Sequence, residues 1–341
     1  MLSDSMGLAK IQKYKQTPIW AWGRQTWLAT STRAPRTFCR EMLAWLSLEK
    51  GSFPGVAKLA ESISLLQTRG LDATSGNTEK EAPIFVFSAG PRAGSTLLQR
   101  ILVTDPRLLL WGEPFGEMAL VSRIAEIVSH LEQPARLGVW EKTIKEIDVK
   151  SATFAMTWIA TLYPSASYFR AALRGFLDQW LGKPARDGGF ARWGFKEVRL
   201  GATEATLLHW LYPNAKFVVI CRHPYDSYRS LANANWVYYD RYPDVRVNSA
   251  AGFAHHWSRL ATSWSELPLE FPCFRIKYED LIGRKVDFRK LESWLGIEIK
   301  EDIALSTSVG GTAKPDCITW YERLIIAREA EAGMRALGYS K

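Results

Sequence analysis

The sequence predicts an α/β fold of three layers, α/β/α, built on a central and mainly parallel sheet, with an N-terminal helical appendage. Three observations predict it. The run Ile84-Phe-Val-Phe87 is apolar without alternation, as in a strand covered on both faces, and it passes through Gly90, Pro91 and Gly94 into Leu97, Leu98, Ile101 and Leu102, which share one helical stripe. A second continuous apolar run, Phe217-Val-Val-Ile-Cys221, leads into Pro224, a residue suited to the first turn of a helix. Strand and helix patterns alternate over much of the chain, which favours crossover connections and a parallel sheet over hairpins.

With 341 residues, 38.6 kDa and 47% hydrophobic residues, the chain can bury a large core. The four cysteines, Cys39, Cys221, Cys273 and Cys317, are far apart and lack paired metal-ligand spacing, so they read as reduced and structural. A formal charge of +9 favours acidic partners. The basic residues are scattered, however, and neither a zinc-finger spacing nor an aromatic nucleic-acid signature accompanies them, so no nucleic-acid partner is expected. No early apolar run reaches the ~18 residues of a membrane span, and residues 1–16 are too polar for a signal peptide. A cytoplasmic protein is expected, with a peripheral membrane contact through residues 1–80 left open.

In chain order, residues 1–80 form an N-terminal helical extension and linker, and residues 81–341 the main domain. Pro35 suits a helix start; Phe38, Met42, Leu43, Trp45 and Leu46 make a stripe, and Gly51 can end it. A second helix is predicted over 56–69, with Val56, Leu59, Ile63 and Leu66 at helical spacing, before a polar linker. Trp20, Trp22 and Trp27 could pack back on the domain or face a ligand or lipid. Past the first strand and helix, Leu108-Leu-Leu-Trp111 runs into a Gly- and Pro-rich turn carrying Glu113 and Glu117. Helical patterns then include Ile144, Ile147, Phe154, Phe169, Leu173, Phe176 and Leu177. A short strand within 192–197 ends in Lys196, a helix follows through Leu207, Leu208 and Leu211, and the run 274–281 supplies a further strand leaving into a loop. Helices at 288–295 and 321–337 close the chain.

The chemistry gathers in two stretches. In the first, a P-loop-like turn with Gly90 and Gly94 can bring backbone N–H groups to an anion, and the following helix adds the positive end of its dipole. Ser95 and Thr96 can cap that helix or donate hydroxyls, and Arg92 offers a planar fork for a phosphate. A nucleoside triphosphate loop needs Lys before its Ser or Thr, but Gly94 stands there. That disfavours a kinase or NTPase, while a plain chain turn remains the alternative. In the second stretch, Arg222 ends a strand and Ser230 lies eight residues on, two helical turns away. The two could hold one phosphate, or Arg222 could pair with Asp226 instead.

Together, Pro91-Arg-Ala-Gly-Ser-Thr-Leu-Leu98 and the Arg222 to Ser230 segment resemble the 5′-phosphosulfate and 3′-phosphate motifs of sulfotransferases that use 3′-phosphoadenosine 5′-phosphosulfate (PAPS), with Ala93 where a hydroxyl residue is commoner. The likeness is nearest to the tyrosylprotein and carbohydrate sulfotransferases and covers residues 83–339. It implies that Arg92, Ala93, Gly94, Ser95 and Thr96 cradle the 5′-phosphosulfate, that Arg222 and Ser230 hold the 3′-phosphate, and that Tyr278 and Lys314 also serve the cofactor. Lys196 resembles the strand-end lysine that reaches the transferring group, and Glu113 aligns with the catalytic carboxylate, with Glu117 as competitor. A carboxylate there can take the proton of an acceptor hydroxyl. His223 falls inside the phosphate motif and His255 and His256 on an amphipathic pattern, so none is expected as base or metal ligand. The resemblance implies PAPS as cofactor, adenosine 3′,5′-bisphosphate as product, no metal, and a small-molecule or glycan hydroxyl as acceptor. A P-loop phosphotransferase and a nonenzymatic nucleotide-binding or membrane-surface protein remain the rival readings.

Overall fold

The computed structural model describes residues 35–46, 55–68, 82–115, 118–130, 150–151, 166–233, 247–300 and 318–340. Trp20, Trp22, Trp27, Gly51, the 72–81 linker, Glu117, Ile144, Ile147, Phe154, Lys314 and Cys317 lie outside them. The chain divides into two compact units, one of Ser52–Arg222 with Leu260–Val309, the other of Met1–Gly51, His223–Arg259 and Gly310–Lys341.

The first unit holds the sheet. Its strands are β1 Ile84–Ser88, β2 Leu108–Gly112, β3 Arg192–Glu197, β4 Lys216–Cys221 and β5 Cys273–Lys277, in the order β2-β3-β1-β4-β5. Every pairing is parallel, with Val86 beside both Lys196 and Val218 and Gly112 beside Lys196. The period-2 alternation of a strand sends neighbouring side chains to opposite faces. Phe85, Phe87, Trp193, Phe195, Phe217 and Val219 therefore share one core with Leu59, Ile63, Val121, Ile124, Leu207 and Leu208. Ile84, Val86, Leu110, Val218, Ile220 and Ile276 share the other with Leu98, Ile101, Leu102, Leu291 and Leu295. This is a three-layer α/β/α arrangement. Helices Val56–Thr68, Leu120–His130 and Ala202–Leu211 cover one face, and Ser95–Leu102 and Phe288–Leu295 the other. Rings dominate the first face: Phe85 lies 4.7 Å from Phe195 and 5.4 Å from Phe217, a tilted geometry that aromatic quadrupoles favour.

Two local details differ from the sequence expectation. The chain leaves β5 into a short helix, Tyr278–Ile282, rather than a loop, and the closing helix over 321–337 is two, Trp320–Glu329 and Glu331–Ala336.

The second unit is helical among its described residues. Helix Pro35–Leu46 sends the Trp45 indole N–H to Glu329 at 2.7 Å and the Glu41 carboxylate to the backbone N–H of Ala250 at 2.8 Å. Tyr228, on helix Pro224–Ala232, donates to buried Glu322 at 2.7 Å, and Glu322 closes a capping box with Thr319. Phe253, Trp257, Ile326 and Met334 are buried here. No helix among the described residues is long and apolar enough to cross a membrane.

Candidate active site

Each strand of a parallel sheet ends at the same edge, so whatever follows the five strands is gathered there, where open α/β sheets bind ligands. After β1 comes the turn 89–94, after β2 Glu113, at the end of β3 Lys196 and Glu197, after β4 Arg222, and after β5 Tyr278. The chain leaves β1 toward β2 on one side and β4 toward β5 on the other, so the order reverses between β1 and β4. The 89–94 turn and Arg222 meet at that reversal: the Arg222 guanidinium donates from Nη1 to the Arg92 carbonyl at 3.2 Å.

In that turn Gly90, Arg92 and Gly94 have φ of 89°, 64° and 90°. Alternating left-handed residues turn successive N–H groups to one side, the concave arrangement that binds anions. Gly94 caps helix Ser95–Leu102, with no side-chain cap bond, so the expected Ser95 or Thr96 cap gives way to glycine backbone. Ser95 is buried and Thr96 exposed on the first turn, and Ala93 is fully buried. A side chain at Gly94 has no room, since a Cβ there would lie 2.3 Å from Cδ2 of Tyr278. Arg222 also packs on the Tyr278 ring, with its Cζ 4.3 Å from the ring centroid, within cation–π range. Tyr278 thus adjoins both the turn and Arg222. Asp226 pairs with Arg229 at 2.5 Å, within its own helix.

Glu113 and Lys196 come together directly. Glu113 Oε1 accepts from Lys196 Nζ at 2.5 Å, and the Glu113 N–H donates to the Lys196 carbonyl at 2.7 Å. Glu113 has φ of 46°, a left-handed value that costs a residue with a Cβ about 1 kcal/mol and recurs at functional sites. Its Oε2 accepts from Arg199 Nη1 at 3.0 Å, and the same nitrogen reaches Glu197 Oε1 at 2.9 Å. Lys196, Glu197 and Arg199 are buried. Burial raises the Glu197 carboxyl above its ordinary value against the pull of Arg199, and the nearby Glu113 charge adds to the rise. Two residues beyond Glu113, buried Phe115 meets Trp180 edge-on at 5.7 Å, and half-exposed Phe176 lies 5.7 Å from Trp180. Trp180 belongs to a π-helical turn, Asp178–Gly182, which continues helix Ala166–Leu177.

Among the sequence-predicted residues, Glu113 with Lys196 and Arg92, Gly94, Arg222 with Tyr278 form two contacting groups at the sheet edge. Ser230 lies on helix Pro224–Ala232 in the other unit, and Lys314 is outside the described residues. His223 accepts from the Tyr225 N–H at 3.4 Å as N-cap of that helix, a structural role. Among the described residues no cluster of His, Cys, Asp or Glu could hold a metal ion. Arg199 and Glu197 are the two site residues the sequence reading passed over. Their signal is three charges within Lys196-Glu-Val-Arg199 at the end of an apolar strand.

The model of the sulfotransferase family matches residues 83–301. No curated protein matches the sequence. Among solved structures, a sulfotransferase domain from the curacin biosynthetic pathway is 16% identical, covering 76% of this chain and 98% of that one, with a TM-score of 0.42. A sulfotransferase from Alicyclobacillus acidocaldarius is 15% identical over 76% of this chain and 97% of its own, with a TM-score of 0.38. A sulfotransferase domain from a Synechococcus olefin synthase is 19% identical over 79% and 99%, also at 0.38.

Proposed function

The chain belongs to the sulfotransferase family, and on that premise we propose that it transfers a sulfuryl group from PAPS to a hydroxyl acceptor, with Glu113 as general base. The observation that carries this reading is the Glu113–Lys196 contact, a base and a cation held together at the carboxyl edge of the sheet.

The turn 89–94, with Arg92, the backbone of Ala93 and Gly94, and the hydroxyls of Ser95 and Thr96, takes the 5′-phosphosulfate. Arg222, fixed by Tyr278 and the Arg92 carbonyl, takes the 3′-phosphate, and the sequence motif assigns Ser230 and Lys314 to the same cofactor. PAPS supplies an activated sulfuryl group. Glu113 accepts the acceptor's hydroxyl proton at a carboxylate oxygen as that oxygen bonds to sulfur. The bond from sulfur to the 5′-phosphate oxygen breaks, its electron pair stays on that oxygen, and Lys196 Nζ meets the charge that develops there. Adenosine 3′,5′-bisphosphate leaves. Sulfuryl transfer in this form needs no metal.

For the acceptor we favour a carbohydrate, small alcohol or phenol, as the likeness to the tyrosylprotein and carbohydrate enzymes suggests. Half-exposed Phe176 and partly buried Trp180, 5.7 Å apart, support it, since ring faces open to solvent can stack on sugars and phenols.

Glu113→Gln tests the base. It removes the proton acceptor and no proposed phosphate contact, so turnover should fall roughly 10²–10⁴-fold while bisphosphate affinity measured by calorimetry holds. Undiminished turnover would refute the role.

A further inference from the structure

The proton transfer uses Glu113 and the leaving oxygen uses Lys196, yet two more ionic side chains are buried beside them. Glu197 is 1% exposed and Arg199 3%. Burying ions costs several kcal/mol each unless they are paired, so such a pair is a poor way to gain stability. What it does gain is geometry. A single nitrogen of Arg199 ties Glu113 Oε2 at 3.0 Å to Glu197 Oε1 at 2.9 Å, and Glu197 is itself anchored by the Val198 N–H at 2.9 Å. Glu197 stands on β3, where its neighbour across the ladder is Phe87 of the central strand. The chain Glu197–Arg199–Glu113 thus runs from the sheet core to the carboxylate. Glu113 needs such a hold: its backbone is left-handed, and Lys196 grips only the other oxygen.

We propose that Arg199 is a positioning residue for the reaction, holding the Glu113 carboxylate through Oε2 in the orientation that meets the acceptor hydroxyl, and that Glu197 fixes Arg199 in turn. The inference rests on the reading of Glu113 as base. Neither Arg199 nor Glu197 is needed for the cofactor, so the pair acts on the chemical step and not on donor binding. A carboxylate bound at one oxygen only is free to rotate about its last torsion, and misplacement by about 1 Å costs on the order of 10²-fold in rate.

The test compares wild type with Arg199→Met, Arg199→Lys and Glu197→Gln in bisphosphate titration and in PAPS turnover with a phenol, a hexose and a primary alcohol offered as acceptors. The expected result is a split. Arg199→Met lowers kcat by roughly 10²-fold with KM for PAPS and bisphosphate affinity unchanged. Arg199→Lys, which keeps one charged bond, recovers part of the rate, and Glu197→Gln loses less than Arg199→Met. If Arg199→Met does not fold, Arg199→Lys and Glu197→Gln carry the same comparison. Unchanged kcat in the folded variants, or a loss confined to PAPS affinity, overturns the positioning role while leaving the functional reading intact. A wild-type protein that turns over none of the acceptors overturns both.

Discussion

Glu197 places an ionisable group where the interior penalises its charge, and the consequence can be read without any substrate. Burial raises its pKa from the ordinary 4.5, so above that value the folded chain keeps a proton that the unfolded chain has given up. The unfolded state binds fewer protons in this window, and stability falls as pH rises through it. Glu197→Gln cannot titrate and lacks this slope. Thermal melts of the two proteins should show the variant gaining on wild type as pH is raised from 4.5 toward neutrality; a gap that does not change with pH would contradict the burial argument. At this scale the sequence singled out Glu113 and Lys196, which the structure brings into contact, because polar residues that end apolar strands stand out. Arg199 was not legible. Its importance comes from a bond to Glu113, 86 positions away in the chain, and no local pattern records that.

The turn 89–94 shows how much an element can be read from spacing. Its strand, glycines and helix were all legible, since four apolar residues, two glycines and a 3.6-residue stripe each have one economical interpretation. The cap was not. Ser95 and Thr96 looked like caps by residue type, but the left-handed Gly94 ends the turn one residue earlier. The reason is the ring of Tyr278, which arrives from β5 and fills the space a side chain at Gly94 would need. Gly94→Ala therefore meets two penalties, a left-handed φ for a residue with a Cβ and a clash with the ring. Chemical denaturation should show it destabilised by roughly 1–3 kcal/mol, with weaker bisphosphate binding because Arg222 rests on the same ring. A variant that matches wild type in both would contradict the packing of Tyr278 against both the turn and the arginine. The short helix Tyr278–Ile282 was likewise read as a loop, being too brief for a periodic pattern to show.

For the whole molecule, alternating strands and helices told of a parallel sheet but not of its order. The sequence β2-β3-β1-β4-β5 depends on pairings between distant segments, and it is that order that sets β1 between β3 and β4. Glu113 and Lys196 therefore stand on one side of the turn 89–94 and Arg222 on the other. The same long-range packing decides that helix Val56–Thr68, N-terminal to the polar linker, buries Leu59 and Ile63 in the core under the sheet. The 3′-phosphate is the feature that separates PAPS from ordinary nucleotides, and Arg222 is the residue proposed to read it. Calorimetric titration of the purified protein with adenosine 3′,5′-bisphosphate, beside adenosine 5′-phosphate and ATP and without magnesium, tests this most directly. A charge-assisted bond is worth about 1.5–3 kcal/mol, so the bisphosphate should bind roughly 10–100-fold tighter than adenosine 5′-phosphate, and Arg222→Ala should erase that margin. Preference for ATP, or no binding of the bisphosphate, would contradict a PAPS-dependent site.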